Sequence, residues 1–304
     1  MRLIKSWVLA TFILCFLVII AGGVVRTTQS GMGCPDWPKC FGMWIPPTQA
    51  SELPADFEKY LGKQDIDHSF NAFHTWIEYI NRLLGVLLGL FGMIQVALLF
   101  GKRKTAKPAF RLALAILAAV IVTGLFGAIV VKLNLAHLSI SVHLLFAILL
   151  LQIQLALLLS LGGRLKLVAL QSPQRNILII FLVLLFVQSI LGTMVRIYVD
   201  DISKALDYQQ REGWLKELPV NFLIHRSFSW VILAGGLFVV WKNKHSQLAT
   251  QFKMLALVLL MNMTVGIVLY YAGMPAWAQP LHLLLAAIAL TQTVGLVLQT
   301  RTVR

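Results

Sequence analysis

Long runs of apolar residues dominate the chain and occur eight times, with shorter polar connections between them. Each run approaches or exceeds the ~20 residues that a helix needs to cross the hydrocarbon core of a membrane. The pattern therefore predicts eight transmembrane helices, at residues 7–26, 75–100, 109–131, 139–160, 177–197, 221–241, 253–272 and 280–299. Basic residues precede the first run, as in a secretory signal, but the run exceeds a signal core of about 7–15 residues. We interpret it as a retained span.

The composition supports this interpretation. Hydrophobic residues make up 59% of the 304 residues and charged residues only 12%, whereas soluble domains carry about 25% charged residues. A water-exposed globule of this size would lack the polar surface to cover itself. The expected fold class is an all-α integral membrane protein.

The charges are separated along the chain. The N-terminus, the connections 101–111, 162–175 and 242–253 and the C-terminal tail hold Lys and Arg but no acidic residue, whereas the alternate connections hold nearly all of the acids. Because basic residues favour cytoplasmic loops, we expect a cell-membrane protein with both termini in the cytoplasm. The net charge of +14 is then explained by contact with anionic lipid headgroups, and no nucleic-acid partner is expected.

The two halves of the sequence share landmarks in the same order. Gly22 to Arg26 matches Gly192 to Arg196, Asn81-Arg82 matches His225-Arg226, and Thr123-Gly124 with His143 matches Thr264, Gly266 and His282. The pattern predicts two tandem four-helix bundles related by a pseudo-twofold axis along the membrane normal. Their expected bounds are residues 1–165, with a large outer loop at 27–73, and residues 170–304.

Histidines near the outer ends of the even-numbered spans are the main candidates for chemistry. Ionisable groups in a membrane are costly unless they pair or bind something. Zinc or copper would draw three or four ligands into one cluster, whereas two imidazoles on facing helices suit the axial positions of a heme iron. His225 and His282 form one such pair. His143 anchors the other half, where Asn81 stands at the expected partner position.

Arginines lie near the same predicted depth. Each can bind a heme propionate through two hydrogen bonds, or can anchor its helix at the membrane interface. The candidates are Arg26, Arg82, Arg196 and Arg226.

Cys34 and Cys40 lie in the large outer loop, and the predicted topology exposes this loop to an oxidising compartment, where disulfides persist. We expect a disulfide between them. It can be a structural clip, or a redox-active pair that relays electrons.

The chain resembles the heme A synthase family over essentially its full length. The resemblance rests on eight spans in two halves, GGVVRTTQSGMGCPDWPKC after the first span, IEYINRLLG in the second, and His143, His225-Arg226 and His282. It implies a membrane oxidoreductase that converts the C8 methyl group of heme O, its substrate, to the formyl group of heme A, its product. It implies a heme b cofactor held by His225 and His282, and the substrate heme in the N-terminal half.

The expected partners are less specific. Heme O synthase is the expected heme donor, although lateral entry of the substrate from lipid is the alternative. The electron acceptor is not identified by the sequence, with a quinone as one candidate, and a homo-oligomer is also open. Two other functions remain open from the residues: a diheme, quinone-linked electron-transfer cytochrome b, and a heme transporter or chaperone.

Glu78 is the one acidic residue inside a predicted span. It can form an ion pair with Arg82, four residues later on the same helix face. Alternatively, it can accept protons released by oxidation of the methyl group. The resemblance also places a functional glutamate here, and we predict that Glu78 is catalytic.

The second span departs from the family pattern Glu-x-x-His-Arg, because Asn81 stands in place of the histidine. In one interpretation His74 substitutes as the iron ligand, although it lies seven residues earlier, about 10 Å nearer the outer surface. In the other interpretation, which we favour, His143 is the sole protein ligand of the substrate heme, and Asn81 forms hydrogen bonds near it.

Overall fold

The computed structural model of the chain describes residues 1–61, 70–162, 167–215 and 219–303. Within these residues, eight helices are long and apolar enough to cross a membrane, which confirms the predicted all-α membrane class. They are α1 (Arg2–Thr27), α2 (Ala72–Phe100), α3 (Lys107–Lys132), α4 (His137–Ser160), α5 (Ser172–Ala205), α6 (Val220–Lys242), α7 (Ala249–Tyr271) and α8 (Ala278–Leu298). Residues 62–69 of the predicted outer loop and the predicted boundary at residue 165 lie outside the described residues.

The connections carry small elements of their own. Short helical turns occur at Ala50–Glu52, Glu58–Leu61 and Arg211–Gly213. Strand β1 (Val168–Gln171) pairs in parallel with strand β2 (Thr300–Val303), with Val168 opposite Thr300. This pairing joins the segment before α5 to the segment after α8.

Local sequence signals explain where several helices begin. Asn71 caps α2, because its side chain accepts a hydrogen bond of 3.3 Å from the backbone N–H of His74. Pro108 and Pro173 lie in the first turns of α3 and α5, where proline costs no hydrogen bond because the first backbone N–H groups of a helix are unpaired anyway.

Helix α5 is the clearest departure from the predicted bounds. It has 34 residues and, at 1.5 Å per residue, is about 51 Å long, well beyond the ~30 Å hydrocarbon core. The apolar run ends near residue 197, but the helix continues because its last turns keep one buried face. Val199 on that face packs in a cluster with Trp214 and Met274. Hydropathy alone marks the membrane span and misses this extension.

The chain divides into two compact units, Met1–Gly163 and Arg164–Arg304. In the first unit each helix from α1 to α4 contacts the next, and α1 also contacts α4. In the second unit α5 to α8 follow the same order of contacts. Each set of four is therefore a closed ring, in which the two even-numbered helices stand at opposite corners. The pseudo-twofold relation and the domain bounds of the two halves stay predictions.

The outer loop folds into a small core of its own. Cys34, Cys40 and Phe41 are fully buried in it, and Tyr60 and Tyr79 pack against them. Because Tyr79 belongs to α2, this core attaches the loop to the N-terminal part of that helix.

Candidate functional site

The two histidines of the C-terminal unit face each other. His225 lies in the second turn of α6 and His282 in the second turn of α8. Their ring centroids are 6.4 Å apart and the ring planes are inclined by 80°. The sequence-predicted pair is therefore brought together within one unit by two helices at opposite corners of the ring.

The Nδ1 atoms of these two rings have different surroundings. Nδ1 of His282 lies 3.1 Å from the backbone carbonyl oxygen of Asn262, so its N–H can donate to that oxygen and leave Nε2 as the free lone pair. Such a backbone partner is typical of metal-bound histidines, because it fixes the tautomer and the ring orientation. Nδ1 of His225 is buried and has no hydrogen-bond partner among the described residues.

The spacing of the rings fits an iron between them. A bond from a metal to an imidazole nitrogen is about 2 Å long, and that nitrogen lies about 1 Å from the ring centre, so two axial imidazoles put their centres about 6 Å apart. The observed 6.4 Å agrees with this value.

Each ring lies against a glycine of a neighbouring helix. A Cβ atom added to Gly192 of α5 would lie 3.3 Å from Cε1 of His225, and one added to Gly266 of α7 would lie 3.3 Å from Cε1 of His282. Since such contacts are tighter than side chains normally allow, the absent side chains permit each imidazole to lie close to the helix. We call these glycines the glycine seats.

His143 has the same arrangement in the N-terminal unit. It lies in the second turn of α4, and a Cβ atom on Gly127 of α3 would lie 3.4 Å from its Cε1. Its ring stacks with Phe126 at a centroid distance of 6.5 Å. Nδ1 of His143 is buried without a partner in the described part of the chain, as in His225.

Neither Asn81 nor His74 reproduces this arrangement. The Oδ1 atom of Asn81 is buried and has no hydrogen-bond partner among the residues that the structure describes. His74 lies in the first turn of α2, where its Nδ1 is 3.2 Å from the side-chain nitrogen of Asn71. The imidazole of His74 is thus tied to the helix cap, about 10 Å along the axis from Asn81.

Glu78 and Arg82 bind the outer loop to α2. One carboxylate oxygen of Glu78 accepts a hydrogen bond of 2.7 Å from the backbone N–H of Cys34. The other accepts from Nε of Arg82 at 3.1 Å and from Nη2 at 2.5 Å. Glu78 is nearly fully buried, so these donors supply the compensation that a buried carboxylate needs.

The guanidinium of Arg82 is fully used by the protein. Besides its bonds to Glu78, it donates to the backbone carbonyl oxygens of Asp36 at 2.5 Å, Lys39 at 3.0 Å and Cys34 at 2.6 Å. An arginine has five N–H groups, and all five are engaged here. In this conformation Arg82 has no N–H left for a propionate.

The other arginines differ from Arg82. Arg196 pairs with Asp200 on its own helix, with 3.0 Å between Nη2 and Oδ2. Arg226 is exposed, and its guanidinium lies 5.8 and 6.0 Å from the ring centroids of Phe222 and Tyr270. Contact with a ring uses the face of a guanidinium and leaves its N–H edge for a carboxylate. Arg26 is half-buried at the outer end of α1.

The predicted disulfide is present. Cys34 and Cys40 are joined, and both cysteines are fully buried in the loop core. Gly33 lies directly before the bridge, and a Cβ atom there would lie 2.3 Å from the backbone oxygen of His74. Only glycine allows the backbone of the loop to approach α2 this closely.

Sequence reasoning missed the glycine seats and aligned one of them incorrectly. Thr123-Gly124 was matched with Thr264 and Gly266, but nothing lies within 4 Å of a Cβ atom on Gly124. The glycine in contact is Gly127, 16 residues before His143, just as Gly266 is 16 residues before His282. This equal spacing was visible in the sequence and could have identified the pair.

Comparison with known proteins agrees with these observations. Residues 5–294 match the model of the COX15-CtaA family, described as cytochrome oxidase assembly protein. A protein of Shewanella oneidensis named Heme A synthase is 31% identical over 183 residues, which cover 60% of the present chain and 53% of that protein. Proteins of the same name from Flavobacterium psychrophilum and Orientia tsutsugamushi are 25% and 24% identical, over 94% and 95% of the chain and 95% and 94% of their own lengths. With a match over nearly its whole length, the chain belongs to the COX15-CtaA family of cytochrome oxidase assembly proteins.

Proposed function

We propose that this protein is a heme A synthase that oxidises the C8 methyl group of heme O to a formyl group, with heme b as its resident cofactor. The observation that carries the proposal is the facing pair His225 and His282, at a ring spacing of 6.4 Å. Membership of the family and relatives named Heme A synthase support heme A synthesis, and the oxidation of the methyl group is part of the proposal.

The C-terminal unit is the proposed heme b site. His225 and His282 would hold the iron, and each ring is positioned by its glycine seat. The carbonyl of Asn262 would keep the proton of His282 on Nδ1. When bound, heme b supplies one-electron redox chemistry at its iron. With two histidines engaged by its iron, heme b would serve electron transfer rather than oxidation of a substrate.

The N-terminal unit is the proposed substrate site, with His143 as iron ligand and Glu78 as proton acceptor. Its lining supports this assignment, because His143, which lies against its glycine seat, and a buried carboxylate occur in the same ring of helices. Glu78 also holds Cys34 of the loop, so the loop fixes the carboxylate in place. The disulfide would act as a structural clip of this loop.

The proposed reaction is a four-electron oxidation. The methyl group and one water give the formyl group, four protons and four electrons, and two molecules of a membrane quinone take these up as two molecules of quinol. The protein contributes ligation, orientation and the first acceptor of protons, and iron supplies the redox chemistry. Two successive oxidation steps, through an alcohol and a hydrated aldehyde, satisfy this balance.

The proposed setting is the cell membrane, with both termini in the cytoplasm and the heme sites toward the outer side. The support comes from the basic connections on one side of the eight spans. Heme O synthase is the proposed donor of the substrate, because both heme O and these sites belong to the membrane phase.

Coexpression with a heme O synthase, followed by chromatography of the extracted hemes, tests the function. We expect heme A only when this chain is present. We expect Glu78→Gln to retain heme b, because the proposed ligands of heme b lie in the C-terminal unit, while heme A falls by about a hundredfold or more. If heme O alone is recovered with the unchanged chain, the proposal is wrong and an electron carrier or heme transporter becomes the better assignment. Normal heme A from Glu78→Gln would exclude the catalytic role of Glu78 alone.

A further inference from the structure

Three of four repeat-related positions hold a histidine that lies against a glycine seat. These pairs are Gly127 with His143, Gly192 with His225, and Gly266 with His282, with contacts of 3.3 to 3.4 Å. The repeat places the fourth pair at Gly22 and Asn81, since Gly22 precedes Arg26 by four residues exactly as Gly192 precedes Arg196. The fourth pair therefore provides an internal comparison with the other three.

The fourth seat is empty. Gly22 is exposed. Among the described residues, apart from the nearby backbone of its own helix, no atom lies within 4 Å of the place where a Cβ atom on Gly22 would be. The side chain of Asn81 therefore does not fill the position that an imidazole occupies elsewhere. The asparagine side chain ends at its δ atoms and is shorter than a histidine side chain, whose ring extends to Cε1 and Nε2. Its Oδ1 is nevertheless buried, and it has no partner within the described residues.

His74 is poorly placed to fill the gap. It precedes Asn81 by seven residues on α2, about 10 Å along the helix axis, and its ring nitrogen already contacts the capping Asn71 at 3.2 Å. The backbone of His74 is also held by the loop, because Gly33 packs against its carbonyl group.

We propose that the N-terminal unit has an open ligand site on its α2 side, bounded by Gly22 and Asn81, which takes a small exogenous ligand carrying a hydrogen-bond donor. The inference rests on the proposed function, because it concerns the heme that His143 would hold. Water is the smallest ligand of this class, and the unpartnered Oδ1 of Asn81 is a suitable acceptor for its O–H. The C-terminal unit would then supply two imidazoles to its heme, whereas the N-terminal unit would supply one imidazole and leave an open site.

Exogenous imidazole is the probe that fits an empty imidazole seat. The full-length protein, loaded with heme in detergent, should show a low-spin fraction from the C-terminal unit and a separate high-spin fraction. Added imidazole should convert the high-spin fraction to low-spin. The variant Asn81→His should be low-spin before any addition, and its response to imidazole should fall at least tenfold.

Two further variants separate the alternatives. His74→Ala should behave as the unchanged protein does, and Gly22→Leu, which fills the seat, should keep the high-spin fraction but lose the response to imidazole. If the unchanged protein has only low-spin heme, and His74→Ala creates a high-spin fraction, then His74 closes the site and the inference is overturned.

The failure of this inference can be told from the failure of the proposed function. If all heme is low-spin while coexpression still yields heme A, only the open site is wrong. If no heme binds at all, the proposed function fails together with it.

Discussion

The two units place different chemistry at matching positions of the same ring of helices. In the C-terminal unit, His225 and His282 face each other across the ring. In the N-terminal unit, one imidazole, His143, is matched by Asn81, and a buried acid, Glu78, lies one turn away on the same helix. The comparison teaches that one arrangement of four helices can carry a facing pair of histidines in one unit and a histidine with a buried acid in the other.

The outer loop is the second difference between the units. Arg82 and Arg226 occupy matching places in the repeat, yet Arg82 spends its N–H groups on Glu78 and on loop carbonyls, whereas Arg226 lies exposed beside aromatic rings. The same residue type therefore holds the loop to its helix in one unit and lies beside aromatic rings in the other. Contact with the outer loop, rather than the position on the helix, therefore determines what each of these arginines does.

Replacing Arg82, which holds the outer loop to α2, should have the largest effect on the protein. Arg82→Ala leaves the buried carboxylate of Glu78 without its cation, and breaking a buried pair in this way costs about 3–5 kcal/mol. We expect the loop to detach, seen as a lower midpoint of thermal unfolding in detergent and faster reduction of the disulfide by dithiothreitol.

The matched control is Arg196→Ala, which removes an ion pair with Asp200 within a single helix. It should leave the rate of disulfide reduction unchanged. Equal reduction rates in both variants would contradict the role of Arg82 in holding the loop.

Replacing Arg226 should have an intermediate effect, on heme binding by the C-terminal unit. If the N–H edge of Arg226 binds a propionate of heme b, Arg226→Gln should weaken heme binding by the C-terminal unit by about tenfold, or ~1.4 kcal/mol. Heme titration followed by absorbance measures the change. The disulfide should remain as resistant to reduction as in the unchanged protein. Unaltered heme affinity would show that Arg226 serves only as an interfacial anchor.

Adding a side chain at a glycine seat should have the smallest effect on heme binding. In Gly192→Ala the new Cβ atom would lie 3.3 Å from Cε1 of His225, so the ring must shift by a few tenths of an ångström. We expect heme affinity to fall about three- to tenfold, equivalent to ~0.7–1.4 kcal/mol, together with an altered low-spin spectrum. Gly22→Ala is the matched control, because its Cβ atom would meet nothing. The same spectral change in both variants would argue against the seats.

Much of the fold was predictable because a helix that crosses the hydrocarbon core of a membrane needs a long apolar run. Runs of apolar residues specify spans, and all eight appear in the described residues. The extension of α5 beyond residue 197 was not predictable from hydropathy, since it depends on packing of Val199 against Trp214 and Met274. The helix there is set by tertiary contacts outside the span.

The site was predictable in its residue types and not in its contacts. His225 and His282 stand out as ionisable groups in apolar runs, and their proximity follows from the repeat. The hydrogen bond from the backbone N–H of Cys34 to the carboxylate of Glu78 joins residues 44 positions apart, and it depends on how the loop folds back over α2. No local pattern encodes such a contact, so it could be seen only in the folded chain.

The central claim is that the C-terminal unit holds heme b between two histidines, and the low-temperature electron paramagnetic resonance spectrum of the purified, oxidised protein tests it most directly. The account predicts a low-spin signal that is lost in His225→Ala and in His282→Ala and is retained in His143→Ala. A protein that stays colourless despite ample heme, or a low-spin signal that survives removal of both His225 and His282, would contradict it.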